Sequence, residues 1–172
     1  MNDALLVVLR LIHVVGGALW VGMAVYTTVY LVPAIQDAGP DGGKVMAALQ
    51  RRGILTVLPA LALLTIVSGG WLYWRASAGL DGGFLRSGVG LAFGLGGLAS
   101  VAAYVLGITV LRPSMTRAAK LMGEIGPDTS EGERRARLEE AGRHRARGAM
   151  AGQIVAALLL LALAAMAVAR YL

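Results

Sequence analysis

Three observations predict an all-α integral membrane four-helix bundle. Four long apolar stretches divide the chain, 57% of its 172 residues are hydrophobic while 15% are charged, and its cations are sorted between alternate connections. Soluble domains carry roughly 25% charged residues. With a mean hydropathy of +0.68, this chain has too few charges to cover its apolar surface in water. Lipid as the solvent removes that requirement, and the length suits a single membrane domain over residues 1–172.

A membrane helix needs roughly 20 apolar residues to cross a ~30 Å hydrocarbon core. Ala4–Val32, Ile54–Trp74, Ser87–Leu111 and Gly148–Ala169 meet that length, and the last three contain no charged residue. The first resembles a signal sequence in position. It reads as a retained helix, because Asp3 rather than a basic cluster precedes it and its apolar run is too long. Pro33 is expected to end helix 1, with Gly39-Pro40-Asp41-Gly42-Gly43 forming a turn-rich connection. Pro59 falls inside helix 2, where its missing N–H frees a carbonyl and favours a kink.

Pro113 is expected to mark the end of helix 3. Ser114–Gly123 then reads as a short interfacial helix, with Met115 and Met122 as apolar contacts and Arg117 and Lys120 toward lipid phosphates. Ser130-Glu131-Gly132-Glu133 is a capping-box pattern. It opens a charged helix over about 131–147 that runs directly into helix 4. Glu131/Arg135, Glu133/Arg137 and Glu139/Arg143 stand at i,i+4 in the favourable order, the pattern of a solvated extension.

Orientation follows from Lys and Arg in the connections. The first and third connections share a side and carry twelve cations; the second carries Arg75 and Arg86. The expected topology is multi-pass in the bacterial cytoplasmic (inner) membrane, with the twelve-cation side cytoplasmic and both termini outside. The net charge of +6 is therefore a topology signal. Nucleic acid is not an expected partner, since the basic stretch lacks interleaved aromatics and is salted with Glu. The absence of cysteine excludes disulfides, thiolate metal sites and covalent haem attachment.

Small residues recur at four-residue spacing: Ala92/Gly96/Ser100, Ala99/Ala103/Gly107 and Gly90/Gly94 in helix 3, and Gly148/Gly152/Ala156 in helix 4. Such faces let helix backbones approach closely. They could serve the bundle, a homo-oligomer, or a partner subunit within a larger membrane complex.

His13 carries most of the chemistry on offer. It lies ~14 Å along helix 1 at ~1.5 Å per residue, near mid-membrane, and an ionisable group at that depth is a functional hypothesis by default. Arg10, Gly16, Gly17 and Trp20 share its face. The two glycines remove bulk beside the imidazole, as a flat macrocycle or a closely packed helix would need. Arg10 could snorkel to headgroups or neutralise a haem propionate. Three roles are open: axial haem ligand, copper ligand with Met23 nearby, and proton relay. Beside them stands a plain hydrogen bond to another helix, for instance at Thr65 or Ser68. His144, at the cytoplasmic edge, lies at the wrong depth to share a ligand with His13. Trp20, Trp71, Trp74 and Tyr171 suit packing or aromatic-belt roles.

His13, Gly16, Trp20 and Gly22, with Arg51-Arg52 followed by Pro59, resemble the first two helices of small bacterial membrane proteins grouped around HemJ-type protoporphyrinogen oxidases and copper-resistance D proteins. The resemblance implies a four-helix bundle and haem b held at His13. The lysine that the HemJ group uses near the start of helix 3 has no match in Leu85-Arg86-Ser87-Gly88-Val89, where Arg86 is nearest. Helix 4 opens Gly148-Ala149-Met150-Ala151, without the group's carboxylate. The function expected is haem or metal binding through an intramembrane histidine, with electron transfer as its use. The alternative is a non-catalytic accessory subunit.

Overall fold

The computed structural model describes residues 3–172. Helices dominate: α1 (Asp3–Asp37), α2 (Pro40–Arg51), α3 (Ile54–Ala76), α4 (Gly82–Arg86), α5 (Gly88–Gly123) and α6 (Glu131–Tyr171). Of these, α1, α3, α5 and α6 are long and apolar enough to cross a membrane. No strand occurs among the described residues. The protein is an all-α membrane bundle. Each span packs on two others: α1 on α3 and α6, and α5 on α3 and α6.

Close approach explains how the bundle holds without a hydrophobic driving force between helices. The buried residues are mostly small, with Ala62, Ala103 and Leu159 each 1% exposed, while Leu98 on the outer face is 70% exposed. A Cβ on Gly96 would stand 3.0 Å from Met166 Cγ and 3.1 Å from the Ala162 carbonyl oxygen. One on Gly148 would meet Met115 Cε at 2.8 Å. The faces through Gly96, Gly148 and Gly152 thus serve the bundle itself, whereas Gly22, Gly70 and Gly97 have no such neighbour within 4 Å. Within the spans, three side chains among the described residues cross between helices to backbone carbonyls. His13 Nδ1 lies 2.9 Å from Thr65 O, Tyr73 Oη donates to Gly90 O at 3.1 Å, and Thr28 Oγ1 donates to Gly152 O at 3.4 Å. They link α1 to α3, α3 to α5 and α1 to α6.

Pro33 and Pro113 do not end their helices. In each, the turn before the proline widens to π geometry, over Thr27–Leu31 in α1 and Gly107–Leu111 in α5. The Val32 N–H reaches back to Thr27 O, and the Arg112 N–H to Gly107 O. A wider turn makes room for a ring that would otherwise clash with the preceding turn and absorbs its missing donor, so the helix continues. The two sites correspond. Gly16-Gly17 precedes Leu31-Val32-Pro33 at the same spacing by which Gly96-Gly97 precedes Leu111-Arg112-Pro113. Gly16 packs on α3 and Gly96 on α6. The α1–α3 and α5–α6 hairpins therefore repeat one plan with the same direction through the membrane.

The first connection also differs from expectation. The chain turns at Ala38-Gly39 with Gly39 at φ +56°, and Pro40-Asp41-Gly42-Gly43 form the first turn of α2. Proline suits that place because its N–H would be unpaired there anyway. Beyond Pro113, Arg112–Gly123 is a continuation of α5 rather than a separate interfacial helix. Ser114, Ala118 and Leu121 are buried, as is Ala141 of the charged segment. Arg117 Nη2 pairs with Glu140 Oε1 at 3.2 Å, and Arg137 Nη1 donates to Glu124 O at 2.5 Å. The charged segment is thus one strut of a two-helix stalk. Each strut sends one arginine across, Arg117 to Glu140 and Arg137 to the Glu124 carbonyl, and the expected i,i+4 pairs are not among the ion pairs of the described residues. The capping box forms as expected: Ser130 Oγ accepts from Glu133 N, and Glu133 Oε2 accepts from Ser130 N. Those bonds to Ser130, aided by Arg137, hold the Glu133 carboxyl below its ordinary value.

Candidate functional site

The five residues singled out on helix 1 differ in burial. Gly16 and Trp20 are buried, His13 and Gly17 are partly buried, and Arg10 is exposed on the outer surface. His13 packs on α3 at Gly69, where a Cβ would fall 2.5 Å from its Cε1; the absent side chain is what admits the ring. Its Nδ1 meets the Thr65 carbonyl, which also accepts from Ser68 Oγ at 3.1 Å. Beside Gly16 the freed volume is filled, because Thr65 Oγ1 would lie 2.8 Å from an added Cβ. Thr65 Cγ2 is 3.5 Å from the equivalent point on Gly17. The pair serves the closely packed helix of the two uses expected for it. As arranged, these residues fit an oriented imidazole, and not a macrocycle lying over Gly16 and Gly17.

Among the described residues no three His, Cys, Asp or Glu side chains gather as a metal centre. His144 stands in the stalk, its Nε2 3.8 Å from Glu140 Oε1, far along the chain from the span that faces His13. Trp71 and Trp74 are exposed on α3 with ring centroids 5.5 Å apart. Tyr171, 73% exposed, carries the Arg170 guanidinium over its ring. All three suit the aromatic belt at the terminal end.

A cavity between the helices lies elsewhere. About 260 Å³ opens between all four spans and α2, in the half of the bundle toward Pro33 and the stalk. Trp20, Ala62 and Ala103 line its deep end, and all three are buried. The two π turns flank it through Thr27, Thr28, Gly107 and Leu111. Pro59 and Leu55, whose carbonyl that proline cannot bond, lie on the wall from α3. Along α1 the lining runs from Trp20 to Gln36, about 24 Å at ~1.5 Å per residue.

The polar part of the lining is distinctive. The chain has three glutamines, Gln36, Gln50 and Gln153, and all three line this cavity from α1, α2 and α6. Arg112 is the charged residue of the lining. Apolar walls with a few convergent polar groups are the signature of small-molecule sites, and π turns recur at functional sites. Trp20 lines this cavity. The other residues here went unnoticed in the sequence because they are scattered across four helices. Two signals were nevertheless present: the repeated Gly-Gly and Leu-x-Pro spacing, and a glutamine inside the otherwise apolar final span.

No family model, curated protein or solved structure matches this chain.

Proposed function

We propose that this membrane protein binds an apolar chain in the cavity above Trp20, as a binding or carrier protein for an amphiphile. The observation that carries the reading is the cavity itself, walled by all four spans and floored by Trp20, which is 6% exposed. Its ~260 Å³ falls just below the roughly 300–1,000 Å³ usual for small-molecule sites, which suits one chain rather than two. The repeated hairpins support it further: ligand sites of duplicated membrane proteins lie at the repeat interface, next to proline- or glycine-interrupted spans.

Trp20 supplies the test. In a Trp71→Phe/Trp74→Phe background, a neutral dibrominated stearyl alcohol added to detergent-purified protein should quench Trp20 saturably at near-equimolar levels. Gly107→Leu should weaken that quenching. Gly107 lines the cavity one turn from buried Ala103, and a Cβ there meets nothing within 4 Å, so a side chain can start from this position without displacing a neighbour. Quenching that rises linearly with total probe and ignores Gly107→Leu would mean general micelle contact and defeat the reading.

A second reading keeps His13 as a ligand for haem b or a metal ion. The observation favouring it is the Nδ1 contact with Thr65 O, the way ligating histidines are commonly oriented. His13 and Arg10 would hold the group, and the group would supply one-electron transfer. A haem beside Gly16 requires α3 to withdraw Thr65. A Soret band in protein expressed with ample haem, lost in His13→Ala and kept in His144→Ala, would establish this reading. A colourless wild type would end it.

A further inference from the structure

From the placement of the polar lining we infer that the cavity's ligand is a single-chain amphiphile with an anionic, phosphate-type head held by Arg112 and the three glutamines. This rests on the proposed binding of an apolar chain and adds the chemistry of the head.

Polarity along the cavity is graded. Trp20, Ala62 and Ala103 stand at one end, while Gln36 and Gln50, from the last turns of α1 and α2, stand at the other. Arg112 follows the π turn of α5 at the same end, and Gln153 sits between, next to Gly152, the residue bonded by Thr28. An occupant matching this gradient has an apolar tail toward Trp20 and a polar head toward Gln36. The sign of the head follows from the charges. Among the described residues no carboxylate is part of the lining, and Arg112 carries a full positive charge at any physiological pH. The connections at this end hold twelve Lys and Arg residues against eight Asp and Glu, a net charge of +4 that favours anions. A guanidinium fork matches phosphate oxygens bidentately, and each glutamine amide adds two N–H donors.

The geometry also argues against a simpler role for the glutamines. Amides on a purely lipid-facing surface of a span have nothing to bond and are costly there. All three line one cavity from three helices, with Gln50 partly buried and Gln36 and Gln153 exposed, so that one occupant can reach them. Gln153 is the informative member, since it stands within the apolar part of α6 rather than at a helix end.

The test uses detergent-purified full-length protein and two probes with the same chain, oleoyl lysophosphatidylglycerol and oleoyl lysophosphatidylcholine. In native mass spectrometry from an equimolar mixture, the wild type should retain the anionic lipid at least fivefold over the zwitterionic one. Arg112→Gln and Gln153→Leu should each bring the ratio down threefold or more. Arg135→Gln, in the stalk more than three helical turns before the first lining residue of α6, Gly148, should leave it unchanged. Inorganic phosphate at millimolar concentration should not displace the retained lipid. Displacement would identify a free anion as the ligand and overturn the lipid assignment. Equal retention of the two lipids, or an unchanged ratio in Arg112→Gln, would overturn the anionic head. If the neutral brominated alcohol still quenches Trp20 saturably in that case, the head assignment alone has failed. If that quenching is absent as well, the cavity reading has failed with it.

Discussion

Gly16→Ala offers the sharpest test of how α1 meets α3. A methyl at this position would lie 2.8 Å from Thr65 Oγ1 and 3.6 Å from Leu61 Cδ1. Oγ1 is not a flexible chain end. It donates to the Leu61 carbonyl at 2.9 Å, and Thr65 is 5% exposed. Either that hydrogen bond breaks or the helices part. Overpacking of this kind costs about 1–3 kcal/mol. Acting against it is the gain of roughly 1 kcal/mol when alanine replaces glycine in a helix interior. Gly22→Ala on the same helix collects that gain without the obstruction, as nothing lies within 4 Å of its Cβ position. The gap between the two variants, about 1–3 kcal/mol, isolates the clash. It can be read from unfolding by sodium dodecyl sulfate in mixed micelles, followed by circular dichroism. Thr65→Ala removes Oγ1 but keeps the carbonyl that His13 uses, so in that background the gap should close. Equal stabilities for Gly16→Ala and Gly22→Ala, or strictly additive effects in the double variant, would refute the close crossing.

With the stalk proposed to be cytoplasmic, single cysteines in intact cells should react with a membrane-impermeant thiol reagent at Gly82→Cys and not at Thr129→Cys; the opposite pattern reverses the topology. The cap of the charged segment should respond to acid. The Glu133 carboxyl is held below its ordinary value mainly by Ser130, so its stabilisation of the cap is present above the unfolded-state value and fades as pH falls through the lower folded one. The Ser130 and Glu133 amide resonances should shift together across that acidic window by nuclear magnetic resonance, and Glu133→Gln should abolish the step. A step that persists in Glu133→Gln would assign it to another carboxylate.

Length and composition fixed the four spans, because a helix in lipid must be long, apolar and internally hydrogen-bonded whatever its neighbours do. The same local logic carried the capping box at Ser130 and the placing of Gly16 and Trp20 on one face of helix 1. Thr65 was among the hydrogen-bond partners foreseen for His13, since few polar groups exist on the facing helix. Other features depended on the fold. Whether Pro33 and Pro113 stop a helix depends on whether the turn before them can widen, which the bundle around each π turn decides. The role of Gly16 and Gly17 depended on what stands opposite: Thr65 of α3 fills the volume that sequence could equally assign to a macrocycle. Gln36, Gln50 and Gln153 carry no common spacing, so only the packing of α1, α2 and α6 could bring them to one cavity. Sequence determines what each helix needs from its solvent, through periodicity and local capping. Which empty volume survives between helices is set by side chains distant in the chain, and tertiary packing alone decides that.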